Sequence, residues 1–241
     1  MNQLHIGLSR NITPPTGGFL FIHDEVPDIP RARIFDPRID SFNPLKDIEY
    51  KRARELSDVL YTIYPQGENT LTVRNGRRAL LAALLDAKQL DKIKADEEVQ
   101  GLVSDVLASP VLRQVFCTPR NVFSFNPRSV ILARVNRAEL GEFDALVIGL
   151  MLMSYYKGQI IIPDFGFYAR DGHASLLREE RLMAGVNSLS ELPPNLRRQT
   201  LLVKHKEASG ATYEDAAVLA QYARLMPNTN AYNEFIDRAV Q

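Results

Sequence analysis

The stretch Ser129–Leu192 reads SVILARVNRAELGEFDALVIGLMLMSYYKGQIIIPDFGFYARDGHASLLREERLMAGVNSLSEL. Val130–Val135 is an apolar run of strand length, and residues with helical apolar spacing follow it. A second run, Gln159–Pro163, ends on an acid, Asp164. Another helical pattern leads to a third run, Ala184–Val186. Strand, helix, strand, helix, strand is the skeleton of a parallel α/β unit. Such folds place their chemistry outside the carboxyl ends of the strands. Asp164 is therefore the first residue to question.

Upstream, Leu4–Leu8, Phe19–Ile22 and Arg33–Phe35 read as strands, separated by loops rich in proline and glycine. Tyr50–Tyr64 has apolar residues at helical spacing (Ala53, Leu56, Val59, Leu60, Ile63), with Asp47 as its expected N-cap. Helices are expected from Thr70 to Leu90, from Glu97 to Leu107 and from Pro110 to Phe116, with Gly76 weakening the first of these. Downstream, helices are expected over Asn195–Lys206, over Glu214–Leu225 behind a Thr212 cap, and over Ala231–Val240. The fold class expected is α/β, a mostly parallel sheet with flanking helices and a helical insertion. The core takes residues 1–46 and 119–241, and the insertion takes 47–118.

The whole chain has 241 residues, 45% hydrophobic and 24% charged, enough to bury a sizeable core. Its formal net charge is zero, so bulk charge does not announce a nucleic-acid partner. The single cysteine, Cys117, excludes an internal disulfide or a cysteine-rich metal site and fits a reducing, cytoplasmic setting. No signal-peptide pattern opens the chain, and no apolar run is long enough to span a bilayer.

Asp164 has two readings. An acid after a strand can order the water shell of Mg²⁺ in phosphoryl transfer. It can equally be an ordinary loop or cap acid. Asp164-Phe-Gly166 also matches the kinase metal-binding tripeptide, but the partner motifs of a kinase are missing. No phosphate loop of the form G-x-x-x-x-G-K-[ST] occurs. Arg178 and Arg181, one helical turn apart, read either as trans-acting arginines or as partners of Glu179 and Glu180. Two basic clusters, Arg74, Arg77 and Arg78, and Arg197, Arg198, Lys204 and Lys206, read as phosphate-backbone contacts or as solvated faces. The four histidines are scattered, with no metal-ligand spacing.

Three pieces together carry a family resemblance. They are Arg33-Ile-Phe-Asp-Pro37 with Ser41-Phe-Asn-Pro-Leu45, then Ile131-Leu-Ala-Arg-Val-Asn-Arg-Ala-Glu-Leu-Gly-Glu142, then Ile160-Ile-Ile-Pro-Asp-Phe-Gly-Phe-Tyr-Ala169 with Leu177-Arg-Glu-Glu-Arg181 and Asn187-Ser-Leu-Ser-Glu-Leu192. In this order they resemble the HerA/FtsK-type P-loop ATPases, nearest to type IV secretion coupling proteins and to conjugation or phage DNA-translocation ATPases. The resemblance covers most of the chain after Ile34.

The resemblance implies a truncated P-loop ATPase-like core. Asp164 would stand at the Walker B aspartate, Arg181 at a trans-acting arginine and Asn187 at the sensor, one methylene shorter than the family's glutamine. Phe165 would stand in place of the glutamate that polarises water, and the resemblance implies that the phosphate loop is missing because the chain would begin beyond it. The expectation is a non-hydrolysing component of a DNA-translocating or DNA-processing machine of a phage or mobile element. It would have no cofactor of its own, taking ATP and Mg²⁺ only if a partner completes the site. DNA, a partner ATPase and further copies of the chain are the expected partners. The alternatives are an ATPase whose phosphate loop comes from another chain, and a DNA-binding module using Arg74, Arg77, Arg78, Arg197 and Arg198.

Overall fold

The computed structural model describes residues 3–6, 16–63, 70–117, 121–170, 181–200 and 205–241. Among them run the strands β1 (Gln3–Ile6), β2 (Phe19–His23), β3 (Arg33–Phe35), β4 (Val130–Arg134), β5 (Gln159–Ile162), β6 (Leu182–Val186) and β7 (His205–Ala208). The α-helices are α1 (Tyr50–Ile63), α2 (Thr70–Asp86), α3 (Glu97–Ala108), α4 (Pro110–Cys117), α5 (Arg137–Leu140), α6 (Glu142–Tyr155), α7 (Phe165–Tyr168), α8 (Pro194–Thr200), α9 (Tyr213–Tyr222) and α10 (Asn230–Val240). This is an α/β fold with parallel pairing and flanking helices. Two compact units compose it, Gly17–Gly158 and Met1–Thr16 with Gln159–Gln241.

In the unit Gly17–Gly158, β4 lies between β3 and β2. Among the described residues, four α-helices and one turn of 3₁₀ helix, Leu90–Lys92, separate β3 from β4 in the chain. The central residues of β4, Ile131 to Ala133, are buried, as a strand covered on both faces requires. In α6, Ala145, Val147 to Met153 and Ser154 are all buried. A helix apolar on all sides belongs inside a core, and each large side chain it buries contributes about 1.5–3 kcal/mol. An aromatic cluster ties β3 to the helical segment. Phe35 lies 5.7 Å from Phe42 and 5.4 Å from Phe123, and Phe42 lies 5.4 Å from Phe116. The Arg33 guanidinium covers the Phe123 ring at 4.5 Å and donates to the Ser124 carbonyl at 2.8 Å.

Three local expectations need correction in this unit. Asp47 does not cap α1. It stands three residues before the helix with φ of +54°, in the turn that leads into it, whereas a cap must directly precede the first turn. The helix expected after β4 is two helices, broken at Gly141, whose φ of +85° closes α5 and opens α6. Helix α2 ends at Asp86, and Leu90 belongs to the 3₁₀ turn.

In the second unit the order is β5-β6-β1-β7, all parallel. Every residue of β6 is buried, as are Ile160, Ile161 and Ile162 of β5. Helices α9 and α10 form a pair around Ala216, Ala220, Tyr232, Ile236 and Ala239. The Thr212 hydroxyl caps α9 by accepting from the Asp215 amide, as expected. Of the helix expected over Asn195–Lys206, the described part is Pro194–Thr200; residues 201–204 lie outside the described residues, and His205–Ala208 is β7 instead. Pairing with β1 over all four residues outweighs the weak local helix preference of that segment. Lys206 therefore lies on a strand, and no helical face joins it to Arg197 and Arg198. Lys204 and Arg178 lie outside the described residues, as does the helical pattern expected between Arg170 and Arg181. Among the described residues, no helix is long and apolar enough to cross a membrane.

Candidate functional site

Parallel pairing gathers the carboxyl ends of β1, β5, β6 and β7 on one edge of the second unit. Ile6 pairs with both Val186 and Ala208, and Ile162 pairs with Ala184. Asp164 and Asn187 each stand just beyond their strand on this edge. Residues 7–15, which follow β1, lie outside the described residues. Sheet geometry thus brings Asp164 and Asn187 to the position where α/β folds bind ligands.

The chain turns at Pro163 because Gly185 of β6 leaves room. A Cβ on Gly185 would sit 2.3 Å from the Pro163 carbonyl oxygen. Asp164 occupies the N-cap position of α7, half-buried, and its side chain makes no cap hydrogen bond. Phe165 follows it and is fully buried. The position that the resemblance gives to a water-polarising glutamate is therefore part of the core. Gly166 packs against the Glu191 carboxylate, which would meet a Cβ there at 2.1 Å.

Glu191 also fixes Asn187. The Asn187 side-chain amide donates to Glu191 Oε1 at 2.9 Å, and its backbone amide donates to Oε2 at 3.2 Å. A turn of 3₁₀ helix, Leu189–Glu191, carries Glu191 back to this position. The buried Asp215 of α9 accepts from the Leu189 amide at 3.2 Å and so anchors the same turn. Sequence reasoning missed Glu191 and Asp215. The i to i+4 spacing of Asn187 and Glu191 was the available signal, but only a turn after β6 gives it meaning.

Arg181 does not join this group. It directly precedes β6, and its carbonyl accepts from the Ile160 amide at 2.7 Å at the amino end of the sheet. The five residues of β6 separate it from Asn187. Six residue steps at the usual strand rise are roughly 20 Å.

The basic residues serve separate places. Arg74, Arg77 and Arg78 lie on α2 in the first unit. Arg77 is 3.8 Å from Asp58, and Arg78 is exposed. In the second unit, Arg197 donates to the carbonyls of Ser190 and Leu192, bracing the 3₁₀ turn, while Arg198 is exposed. Arg197 is thus engaged with its own chain.

The carboxyl edge of the first unit carries a second polar cluster. Asp36, directly after β3, receives two bonds from Arg38 Nε, at 2.9 and 3.2 Å. Arg38 also meets Glu139 at 2.6 Å, and Glu139 meets Arg134 at 3.0 Å. Asp24 holds Arg137 at 2.7 Å. Hydrogen bonding from Arg38 keeps Asp36 below the ordinary carboxylate range, while burial pushes Asp40 above it. The two have opposite linkage. The contribution of Asp36 is present above the ordinary value of 3.8 and is lost as pH falls through its lowered value. Ionised Asp40 costs stability at neutral pH, and that cost disappears as pH falls through its raised value. Asp40→Asn should therefore be more stable than the native chain at pH 7, with the difference shrinking at mildly acidic pH. Urea titrations under both conditions check this, and a variant weaker than the native chain at pH 7 would refute it.

Burial pushes the Cys117 thiol above its ordinary value, which leaves it protonated and unreactive at neutral pH. Among the described residues, no three His, Cys, Asp or Glu side chains come together as a metal site. No protein-family model matches the chain, and no curated protein matches it.

Proposed function

We propose that this chain is a non-hydrolysing α/β domain related to the HerA/FtsK-type ATPases, acting as a structural or regulatory component of a DNA-translocating or DNA-processing machine of a phage or mobile element. The resemblance supplies the setting. One observation supports the loss of hydrolysis: Phe165, next to Asp164 at the end of β5, is fully buried. A base must reach the attacking water to orient it, and a core phenylalanine offers neither a proton acceptor nor access. Asn187, held by Glu191, is engaged within its own loop. In this reading Asp164 and Asn187 are vestiges of a site whose sheet has been kept as a platform.

The purified chain should show no Mg²⁺-dependent ATP turnover above the buffer blank, and Asp164→Ala should change nothing in that assay. Turnover that Asp164→Ala abolishes would overturn the proposal. If turnover appeared only on adding a second protein that carries a phosphate loop, the shared-site alternative would replace it.

A further inference from the structure

The pair α9 and α10 encloses more than a helix contact. A hollow of about 450 Å³ opens between the two helices and the end of β7. Its floor is Ala208, Leu219, Phe235 and Ala239, and its rim carries Tyr222 and Arg238. The size falls in the range of small-molecule sites, roughly 300–1,000 Å³. Alanines at 208, 223 and 239 are what leave the space, since larger side chains there would fill it.

The polar groups are as informative as the floor. Arg238 donates Nε to the Glu234 carbonyl at 3.2 Å, which fixes the root of the guanidinium beside the opening. No carboxylate of the described residues forms an ion pair with Arg238. Its terminal nitrogens form a fork that suits a planar oxyanion. Tyr222 is half exposed and adds a hydroxyl to the same rim. Among the described residues, no acidic side chain lines the hollow.

We propose that this hollow binds an amphipathic carboxylate. An aliphatic or aromatic body lies on Leu219, Phe235 and the alanines, and the carboxylate lies at Arg238. The site is remote in kind from the strand-end group of Asp164 and Asn187 and does not depend on any nucleotide chemistry. Complementary charge chooses the anion, and the volume chooses a small molecule over a folded partner.

Decanoate, kept below its micelle concentration, is the probe, with decylamine as the charge control. Calorimetry on the full chain should give a Kd of about 0.1–1 mM for decanoate, as expected for a ligand of this size. Decylamine should bind at least about tenfold more weakly. Arg238→Gln, an exposed change, should weaken decanoate by about tenfold or more through loss of a charge-assisted pair. Ala223→Phe should fill the hollow and abolish binding, with the thermal midpoint confirming that the variant is folded. Equal binding to all variants, equal binding of the amine, or no binding would overturn the proposal. So would a concentration-dependent dimer that Ala223→Phe disrupts, because the hollow would then belong to a second copy of the chain.

Discussion

Gly185→Ala should cost about 3 kcal/mol or more of stability, the upper end of what overpacking a buried site does. The added Cβ would lie 2.3 Å from the Pro163 carbonyl oxygen and 3.1 Å from its carbonyl carbon. These are backbone atoms, so no rotamer change relieves the contact. The strand around it, Leu182–Val186, is buried at every residue and pairs on both sides, with β5 and with β1. Either β6 shifts against two neighbours or the chain at Pro163 moves, and Asp164 moves with it. Against a typical total of about 5–15 kcal/mol, such a loss is readily visible in a urea titration. Gly101→Ala in α3 is the matched control. Nothing lies within 4 Å of its added Cβ, and an alanine there should stabilise by up to ~1 kcal/mol. A Gly185→Ala variant within ~0.5 kcal/mol of the native chain would show that the β5 exit is looser than described.

Gly76→Ala should also destabilise, although it replaces a poor helix former with the best one. Propensity favours the alanine by about 1 kcal/mol. Sterics oppose it, because the new Cβ would stand 1.8 Å from the Tyr61 hydroxyl oxygen and 2.7 Å from the ring carbon that bears it. Tyr61 is 1% exposed, and its hydroxyl donates to Glu98 at 3.3 Å, so the ring has no free space to enter. A clash of this size belongs at the top of the ~1–3 kcal/mol range for overpacking, leaving a net loss of about 2 kcal/mol. The double variant Tyr61→Phe with Gly76→Ala removes the closer contact and should recover part of that loss. No recovery would mean that the helices α1 and α2 separate through some other contact.

Gly76 also shows what the sequence hides. Met singly, it weakens the expected helix. Its use lies in a tyrosine fifteen residues upstream on another helix. The strands Phe19–His23 and Val130–Arg134 were legible because buried parallel strands leave continuous apolar runs. Strand β7 was not, because His205-Lys-Glu-Ala208 has no such run and owes its conformation to β1. At the site, the strand-end position of Asp164 could be read from Ile160-Ile-Ile-Pro163. The fixing of Asn187 by Glu191 could not, since it depends on a single turn of 3₁₀ helix whose anchor, Asp215, lies on α9. The separation of Arg181 from Asn187 follows from Leu182 and Met183, which extend β6 beyond the three residues whose apolar character marks it.

The position of β1 has a consequence for how the chain comes off the ribosome. Its partners β6 and β7 end at Val186 and Ala208, so β1 must wait for strands made much later. At ordinary elongation rates the interval is roughly 10–40 s. The unit Gly17–Gly158, by contrast, is one continuous segment that is complete before β5 emerges. Synthesis therefore favours an order in which β1 stays unpaired while the unit Gly17–Gly158 closes, and the long-range pairing comes later and slowly. During that interval β1 is open to a chaperone or to mispairing with another chain.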